Sequence, residues 1–178
     1  MKKLVLVSMI FILVCGSAFA FVFDPLLLPD PVEAGDFIFD IGVGFGAFGG
    51  PGWNMSIPPI GASLTYFLPV EVPVSVGGMF AFMQYRWGTL HAWTGTFLVF
   101  AARANWHFNV GVENLDLYAG FSLGYQHFTT NDQHIPWRLS SPYFAGQIGA
   151  RYFFTGNLAA AVELGHPMWI RAGVAFKF

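Results

Sequence analysis

Eight ionisable side chains stand at alternating positions within stretches that are otherwise apolar or small. They are four acids and four bases: Asp36, Asp40, Asp116, Glu163, Arg103, Arg151, Arg171 and Lys177. Charges enclosed away from water must pair, because an isolated buried ion carries a large desolvation cost. The balance of sign therefore predicts a salt-bridged polar network. Its inner members are Asp40, Arg103, Asp116, Arg151, Glu163 and Arg171. Fixed pairs would stabilise a closed interior, whereas exchanging pairs would open a narrow path.

A second group of reactive side chains lies in the polar stretch 127–141. It contains His127, Asp132, His134, Ser140 and Ser141. Histidine beside serine and a carboxylate is the combination used in nucleophilic acyl transfer, but the spacing here matches no catalytic motif. His91 and His166 lie elsewhere, without the paired spacing of a zinc site. The sequence therefore predicts no catalytic residue, no metal site and no cofactor.

The elements that position these side chains alternate with a period of two. The clearest case is the final stretch, 168–178. Every second residue from Met168 to Phe178 is apolar there, and the intervening positions include Trp169, Arg171 and Lys177. This alternation predicts a β-strand with different surroundings on its two faces. An unbroken apolar face opposite cations fits lipid on one side and a polar lumen on the other.

Composition excludes most other architectures. The chain has 178 residues, of which 55% are hydrophobic, 19% aromatic and 10% charged, whereas about 25% charged is usual in soluble domains. A soluble fold of this size cannot enclose so much apolar surface. Beyond residue 20, no apolar run approaches the roughly 20 residues of a transmembrane helix. Alternation in a closed barrel remains as the way to hide the apolar residues.

The N-terminus has the features of a secretory signal peptide. Lys2-Lys3 precedes an apolar stretch and the cleavage sequence Ala18-Phe-Ala20, so residues 1–20 are predicted to be removed. An uncleaved anchor and lipoprotein processing at Cys15 are the alternatives. Cleavage leaves no cysteine, and six basic side chains against ten acidic ones. This charge gives no reason to expect binding to nucleic acid.

Residues 21–35 form a proline-rich leader. Pro25, Pro29 and Pro31 oppose both helix formation and ladder pairing. The cluster Leu26-Leu27-Leu28 is more apolar than a solvated tail. We interpret the leader as a periplasmic segment that packs against the barrel base, or alternatively as a plug or a partner-docking segment.

The predicted barrel domain, 36–178, contains eight alternating segments. They are residues 36–48, 60–68, 74–85, 94–108, 115–126, 142–153, 158–164 and 168–178. Long connections at 49–59, 86–93 and 127–141 alternate with short turns, as expected for extracellular loops opposite periplasmic turns. No outward position in any segment carries a charge, which is what a lipid-facing surface requires.

Aromatic side chains cluster at the segment ends, as in the interfacial girdles of membrane barrels. The predicted periplasmic girdle is Tyr66, Phe67, Trp106, Phe108, Tyr152, Phe153, Phe176 and Phe178. The predicted outer girdle is Trp87, Trp93, Tyr125 and Trp137. Inward positions near the outer end are partly apolar: Met79, Met83, Phe97 and Val99. A small amphipathic ligand could occupy the lumen there.

Residues 36–178 resemble the small eight-stranded outer-membrane proteins, the group described as the outer membrane protein beta-barrel domain. The stretch 151–165 followed by 171–178 is similar to the closing hairpin of that group. The ending with Val174, Phe176 and Phe178 resembles its C-terminal assembly signal. The resemblance implies an all-β, eight-stranded antiparallel up-and-down transmembrane β-barrel in the bacterial outer membrane. It also implies a monomer whose partners are the barrel-assembly machinery and lipopolysaccharide-type lipid.

The group includes structural barrels, adhesins, solute channels and lipid-modifying enzymes, so the resemblance does not settle an activity. We interpret the chain as a non-enzymatic outer-membrane protein with a closed, salt-bridged lumen. Its expected role is structural or in surface interaction, with an extracellular partner reached through residues 127–141. The alternatives are a narrow channel or binding barrel for small hydrophobic or amphipathic solutes, and a lipid A-modifying enzyme.

Overall fold

Eight antiparallel strands close on themselves, each paired with its neighbours along the chain. The computed structural model describes residues 27–46, 53–87, 93–131 and 139–178. The strands are β1 (Phe37–Phe45), β2 (Trp53–Phe67), β3 (Val74–Trp87), β4 (Trp93–Phe108), β5 (Leu115–Thr130), β6 (Leu139–Phe153), β7 (Leu158–Gly165) and β8 (Ile170–Lys177). β1 pairs with both β2 and β8, which closes the sheet. The predicted eight-stranded antiparallel up-and-down barrel is confirmed. The signal peptide and residues 21–26 of the leader lie outside the described residues.

No helix in the described part of the chain is long and apolar enough to cross a membrane.

The wall separates two environments, as the alternation predicts. In β1, Ile38 and Asp40 are buried in the lumen, whereas Phe37 and Ile41 on the other face are exposed. The same period of two holds in β8, where Arg171 and Ala175 are buried and Val174 is exposed.

The strands differ greatly in length, so the barrel is not equally tall all round. β3 to β6 have 14 to 16 residues, whereas β7 and β8 have eight each. β6 pairs with β7 only from Gln147 onward, and β1 pairs with β2 only as far as Ile60. Toward the end of the barrel that holds Phe37 and Phe178, here called the lower end, all eight strands pair and form the closed section. Above these points stands a partial sheet, here called the half-barrel, made by residues 53–59 of β2, 139–146 of β6 and the ends of β3, β4 and β5 between them.

The three predicted long loops are wrong at their boundaries. β2 begins at Trp53 rather than residue 60, and register shifts accommodate the stretch that contains Pro58 and Pro59. β5 continues to Thr130, and β6 begins at Leu139, inside the predicted loop 127–141. β3 and β4 likewise extend to a Trp87–Trp93 pair. Half-barrel strands carry polar residues on both faces or prolines, so the alternation that reveals a strand fades there.

The predicted eighth segment is wrong in its first two residues. The alternation predicts Met168 on the outer face and Trp169 on the inner one, but Met168 is only 4% exposed and Trp169 is 71% exposed. Pairing between β7 and β8 begins at Ile170, so these two residues belong to a connection and need not alternate. Met168 enters the lumen, where its side chain occupies the space that a Cβ at Gly44 or Gly61 would need.

Two members of the predicted periplasmic girdle lie inside the barrel instead. Phe67 and Phe153 are almost fully buried. Phe67 has the same parity as the inward residue Thr65, and Phe153 has the same parity as Arg151, so strand geometry directs both rings to the lumen. Tyr152, Phe176 and Phe178 are exposed on the outer face, as expected for a girdle. Trp137 lies outside the described residues.

Candidate functional site

The lower lumen is organised around Arg151, which is completely buried. Its Nε and Nη2 donate to the two oxygens of Asp40 at 2.9 and 3.0 Å, and its Nη1 donates to Asp116 Oδ2 at 2.7 Å. The guanidinium carbon lies 4.4 Å from the centre of the Tyr118 ring. Ser63 adds a hydroxyl donor to Asp40 at 3.1 Å. Strands β1, β5 and β6 are thus joined across the lumen by one cation.

A chain of hydrogen bonds continues from Asp116 around the wall. Asp116 Oδ1 lies 2.6 Å from His107 Nδ1, and His107 Nε2 lies 2.8 Å from the Ser75 hydroxyl. The Asn105 amide donates to Ser75 Oγ at 3.3 Å, and the Gln147 amide donates to Asn105 Oδ1 at 2.8 Å. Each of these side chains is buried, so each polar group replaces its lost water with a protein partner.

A second cluster lies higher in the lumen. Arg103 Nη2 donates to Glu163 Oε2 at 2.6 Å, and Arg171 Nη2 donates to the same oxygen at 3.3 Å. The Tyr118 hydroxyl also donates to this oxygen, at 2.8 Å. Tyr118 therefore connects the two clusters, since its ring contacts Arg151. Arg103 Nε and Nη1 are buried and have no hydrogen-bond partner among the described residues.

Apolar side chains fill the lumen above this cluster. The upper layer consists of Met79, Ala81, Met83, Tyr85, Val99, Ala101, Tyr143, Ala145 and Met168, with Phe97 packed against it. A cavity of about 10 Å³ lies where Met168 and Pro167 approach Glu163 and Arg171, and this is about the size of one water molecule. The neighbouring connection is fixed by the Tyr143 hydroxyl, which donates to the His166 carbonyl. Partial burial lowers the pKa of the His166 imidazole.

Apolar side chains and the leader also close the lower end. Val32 of the leader is buried in a layer whose other members are Ile38, Phe67, Phe153, Ala159, Ala161 and Ala175, with Leu28 packed against it. The Asn109 amide donates to the Leu28 carbonyl at 3.1 Å, and Lys177 Nζ donates to the Pro31 carbonyl at 2.9 Å. Lys177 Nζ also lies 3.4 Å from Asp36 Oδ2. This ion pair therefore lies at the lower rim of the barrel, where the leader is bound.

The structure brings all six inner residues of the predicted network into ion pairs. The polar groups that link these charged residues could not be predicted as members of the network, although their inward parity was visible in the sequence. These are Ser75, His107, Asn105, Gln147, Ser63 and Tyr118. Alternation gives the face of a strand but not its register against a neighbour, and register decides which inward groups meet.

The polar loop candidates do not form a site among the described residues. The His127 ring nitrogen Nδ1 lies 2.7 Å from the Ser140 hydroxyl, and Ser141 accepts from the Gln126 amide instead. No group of three possible metal ligands occurs in the ranges that the structure describes. His91, Asp132 and His134 lie outside them.

The two residues of the predicted assembly signal are exposed on the outer face at the end of β8. Phe178 exchanges two backbone hydrogen bonds with Phe37, at 2.9 and 3.0 Å, and the two rings stack with centroids 6.0 Å apart. Phe176 pairs with Phe39 of β1. The C-terminus therefore forms part of the seam that closes the barrel.

No protein-family model and no curated protein sequence matches the chain. Solved structures do match it. Ail, the attachment invasion locus protein of Yersinia pestis, is 16% identical with a TM-score of 0.53, and the match covers 82% of this chain and all of that one. Ail in complex with the heparin analogue sucrose octasulfate matches with 14% identity, the same coverage and a TM-score of 0.56. The outer membrane protein OprG from Pseudomonas aeruginosa is 15% identical over 84% of this chain and 99% of its own, with a TM-score of 0.53. The chain has the fold of the small eight-stranded outer-membrane β-barrels.

Proposed function

We propose that the chain is a bacterial outer-membrane barrel with a closed, salt-bridged lumen, and that it acts structurally or in surface interaction. The observation that carries this proposal is the filling of the lumen in layers. The leader and its apolar cluster occupy the lower end, two ion-pair clusters occupy the middle, and the Met-rich layer lies above them. An eight-stranded barrel is just wide enough for its own side chains, so these layers leave little room for a conducting path.

The outer surface of the closed section supports the membrane location. Large apolar side chains are exposed on every side of it, among them Phe100, Phe121, Leu123, Ile148 and Val162. No outward position of the closed section carries a charge among the described residues. A Lys or Arg at mid-bilayer costs about 2–4 kcal/mol, so a lipid environment accounts for this pattern, whereas water does not.

The height of the closed section also fits a bilayer. With a rise of about 3.3 Å per residue and a tilt of about 40°, an eight-residue strand such as β7 or β8 spans about 20 Å, close to the apolar band of about 25 Å in such barrels. Arg86 is the exposed charge on the outer face of β3, and it lies in the half-barrel. The half-barrel would then stand outside the membrane.

The half-barrel is the surface that we propose for interaction with an extracellular partner. It includes the described ends of the predicted partner region 127–141, with His127 and Ser140 paired on its outer face. The similarity to Ail does not extend the heparin-analogue complex to this chain. A polyanion needs clustered cations, and among the described residues of the half-barrel Arg86 is the exposed cation.

The channel, ligand-binding and lipid-modifying alternatives have less support. The apolar upper lumen predicted as a ligand space is occupied by the chain's own side chains, including Met83 and Val99, which are fully buried. The loop histidines are not assembled with an acid among the described residues. A closed barrel accounts for the same residues without a ligand.

Single-channel recording in a planar bilayer tests the proposal. The refolded protein should remain silent while its unboiled form migrates faster than its boiled form on a gel, which demonstrates that it is folded. Stable, reproducible current steps from the folded protein would contradict the closed lumen and favour the channel. Identical mobility before and after boiling would contradict the membrane-barrel proposal itself.

A further inference from the structure

Three side chains at the lower end of the lumen have the arrangement of an acyl-transfer triad. Ser75, His107 and Asp116 come from three neighbouring strands, β3, β4 and β5. We propose that they form a latent esterase site, and that the leader closes this site from the periplasmic side.

The hydrogen bonds fix the chemical role of each member. An ionised carboxylate only accepts hydrogen bonds, so Asp116 requires the hydrogen of His107 to be on Nδ1, at 2.6 Å. In the neutral imidazole, Nε2 is then the acceptor for the Ser75 hydroxyl, at 2.8 Å. Both distances are typical of a catalytic triad, in which the nucleophile is hydrogen-bonded to its base and the base is hydrogen-bonded to its orienting acid.

Two further groups complete the arrangement. Arg151 donates to the second oxygen of Asp116 at 2.7 Å, which keeps that carboxylate ionised and fixed in position. The Asn105 amide lies 3.3 Å from Ser75 Oγ and is a donor. It is therefore available to a negative oxygen that develops on a carbonyl carbon bonded to Ser75.

The position of the triad allows access from one end of the barrel. Ser75 is the second residue of β3, Asp116 is the second of β5, and His107 is the last but one of β4. All three side chains are 0% exposed. The Phe67 ring covers the imidazole, with the two ring centroids 4.4 Å apart, and Phe67 packs in the same apolar layer as Val32 of the leader.

The leader is a separable cover. Residues 27–35 belong to no strand. The leader is held by Val32 and Leu28 in the apolar layer and by the side chains of Asn109 and Lys177, which donate to its carbonyl groups. At its end, the Gly35 N–H donates to the Phe67 carbonyl at 2.9 Å. Displacement of the leader would break no pairing between strands and would uncover Phe67 and the groups behind it.

The reaction that this arrangement supports is the hydrolysis of a carboxylic ester. Ser75 Oγ bonds to the ester carbonyl carbon while its proton moves to His107 Nε2. The C–O bond to the alcohol then breaks, and the alcohol leaves with that proton. Water attacks the acyl-serine, gives a proton to His107, and releases the acid as Ser75 regains its hydrogen. Solvent water is the only co-reactant.

A fluorophosphonate probe tests the site in the folded, full-length protein. The double variant Leu28→Asp, Val32→Asp places charges in the apolar layer and should release the leader. We expect its Ser75 to react at least ~10-fold faster than that of the unaltered protein, and His107→Gln in the released background to lower the rate by about 100-fold. Leu27→Asp is the matched control, because Leu27 is already exposed, and it should leave the rate unchanged.

Peptide mapping identifies the modified residue, so the result does not depend on whether Ser75→Ala folds. Ser63, a buried lumen serine bound to Asp40 rather than histidine, should remain unmodified. Absence of labelling in the released variant, with heat-shifted mobility intact, would overturn the esterase site, as would labelling at another serine. Equal rates with and without release would overturn the role of the leader. The name periplasmic for this side of the barrel rests on the proposed function. Single-channel recording tests the closed lumen of that proposal separately, because the reactivity of Ser75 needs no open channel.

Discussion

Arg151 holds two carboxylates from different strands at once, in a region from which water is excluded. Arg151→Leu would leave Asp40 and Asp116 buried without their cation. Removal of one partner of a buried ion pair typically costs about 3–5 kcal/mol, so we expect the free energy of unfolding to fall by about that amount. Urea-induced unfolding in lipid vesicles, followed by tryptophan fluorescence, measures it.

Lys177→Gln is the control for this prediction, because the Lys177–Asp36 pair lies at the partly exposed rim. Exposed ion pairs contribute about 0.2–1 kcal/mol each to the free energy of unfolding. Equal losses from the two variants would mean that Arg151 does not organise the lumen.

Replacing either of two adjacent glycines of β3 by alanine should change the stability of the barrel in opposite directions. A Cβ at Gly77 would lie 2.0 Å from the Leu64 carbonyl oxygen, whereas a Cβ at Gly78 finds only one atom within 4 Å, the Ala101 carbonyl oxygen at 3.8 Å. Gly77→Ala should therefore destabilise the barrel by about 1–3 kcal/mol through overpacking. Gly78→Ala should stabilise it by up to about 1 kcal/mol through lower chain entropy in the unfolded state. The same unfolding assay decides the signs, and a loss of stability in both would contradict the local geometry.

At the scale of the strand, β6 has a free edge along 139–146, where the described residues provide no partner strand. The carbonyl oxygen of Gly146 is directed toward β7, since it lies 2.8 Å from the position that a Cβ added at Gly165 of β7 would take. Because peptide directions alternate along a strand, the nitrogen of Pro142 also faces this edge. Proline has no N–H to offer, and proline on an edge opposes pairing with another chain.

Pro142→Val restores a donor and a strand-favouring side chain to this edge. We expect the purified variant to self-associate, as measured by light scattering after size-exclusion chromatography in detergent. Ser140→Val, on the same edge but with its N–H already present, is the matched control and should remain monomeric. A monomeric Pro142→Val protein would mean that the proline does not protect the edge.

The last strand carries a prediction about assembly. Phe178→Ala keeps the backbone bonds to Phe37 and removes only the exposed ring. If the ring is an assembly signal, outer-membrane levels should fall several-fold in cells while refolding in vitro stays unchanged. Ile170→Ala, another exposed β8 side chain, should leave cellular levels near normal. A parallel loss in vitro would instead assign Phe178 a structural role in the seam.

At the scale of the whole molecule, the closed section could be predicted from the sequence because lipid and lumen impose opposite polarities on alternate residues. The half-barrel could not, because Pro58 and Pro59 interrupt its first strand and polar residues stand on both faces of the end of β5, at His127, Thr129 and Thr130. Inward parity identified the charged members of the lumen network. The triad of Ser75, His107 and Asp116 depends on register and on the match of three strand ends, which one sequence does not encode in any visible pattern.

The proposed orientation of the whole barrel can be tested because cleavage at Ala20 would leave the chain without cysteine. Arg86→Cys places a thiol on the half-barrel, and Gly156→Cys places one on the β7 side of the opposite rim, where a side chain meets no atom within 4 Å. In intact cells a membrane-impermeant maleimide should label Arg86→Cys at once and Gly156→Cys only after the outer membrane is permeabilised. The reverse pattern would mean that the barrel has the opposite orientation, with the leader and the triad at the outer side of the membrane. Labelling of both in intact cells would contradict the proposed membrane-spanning arrangement.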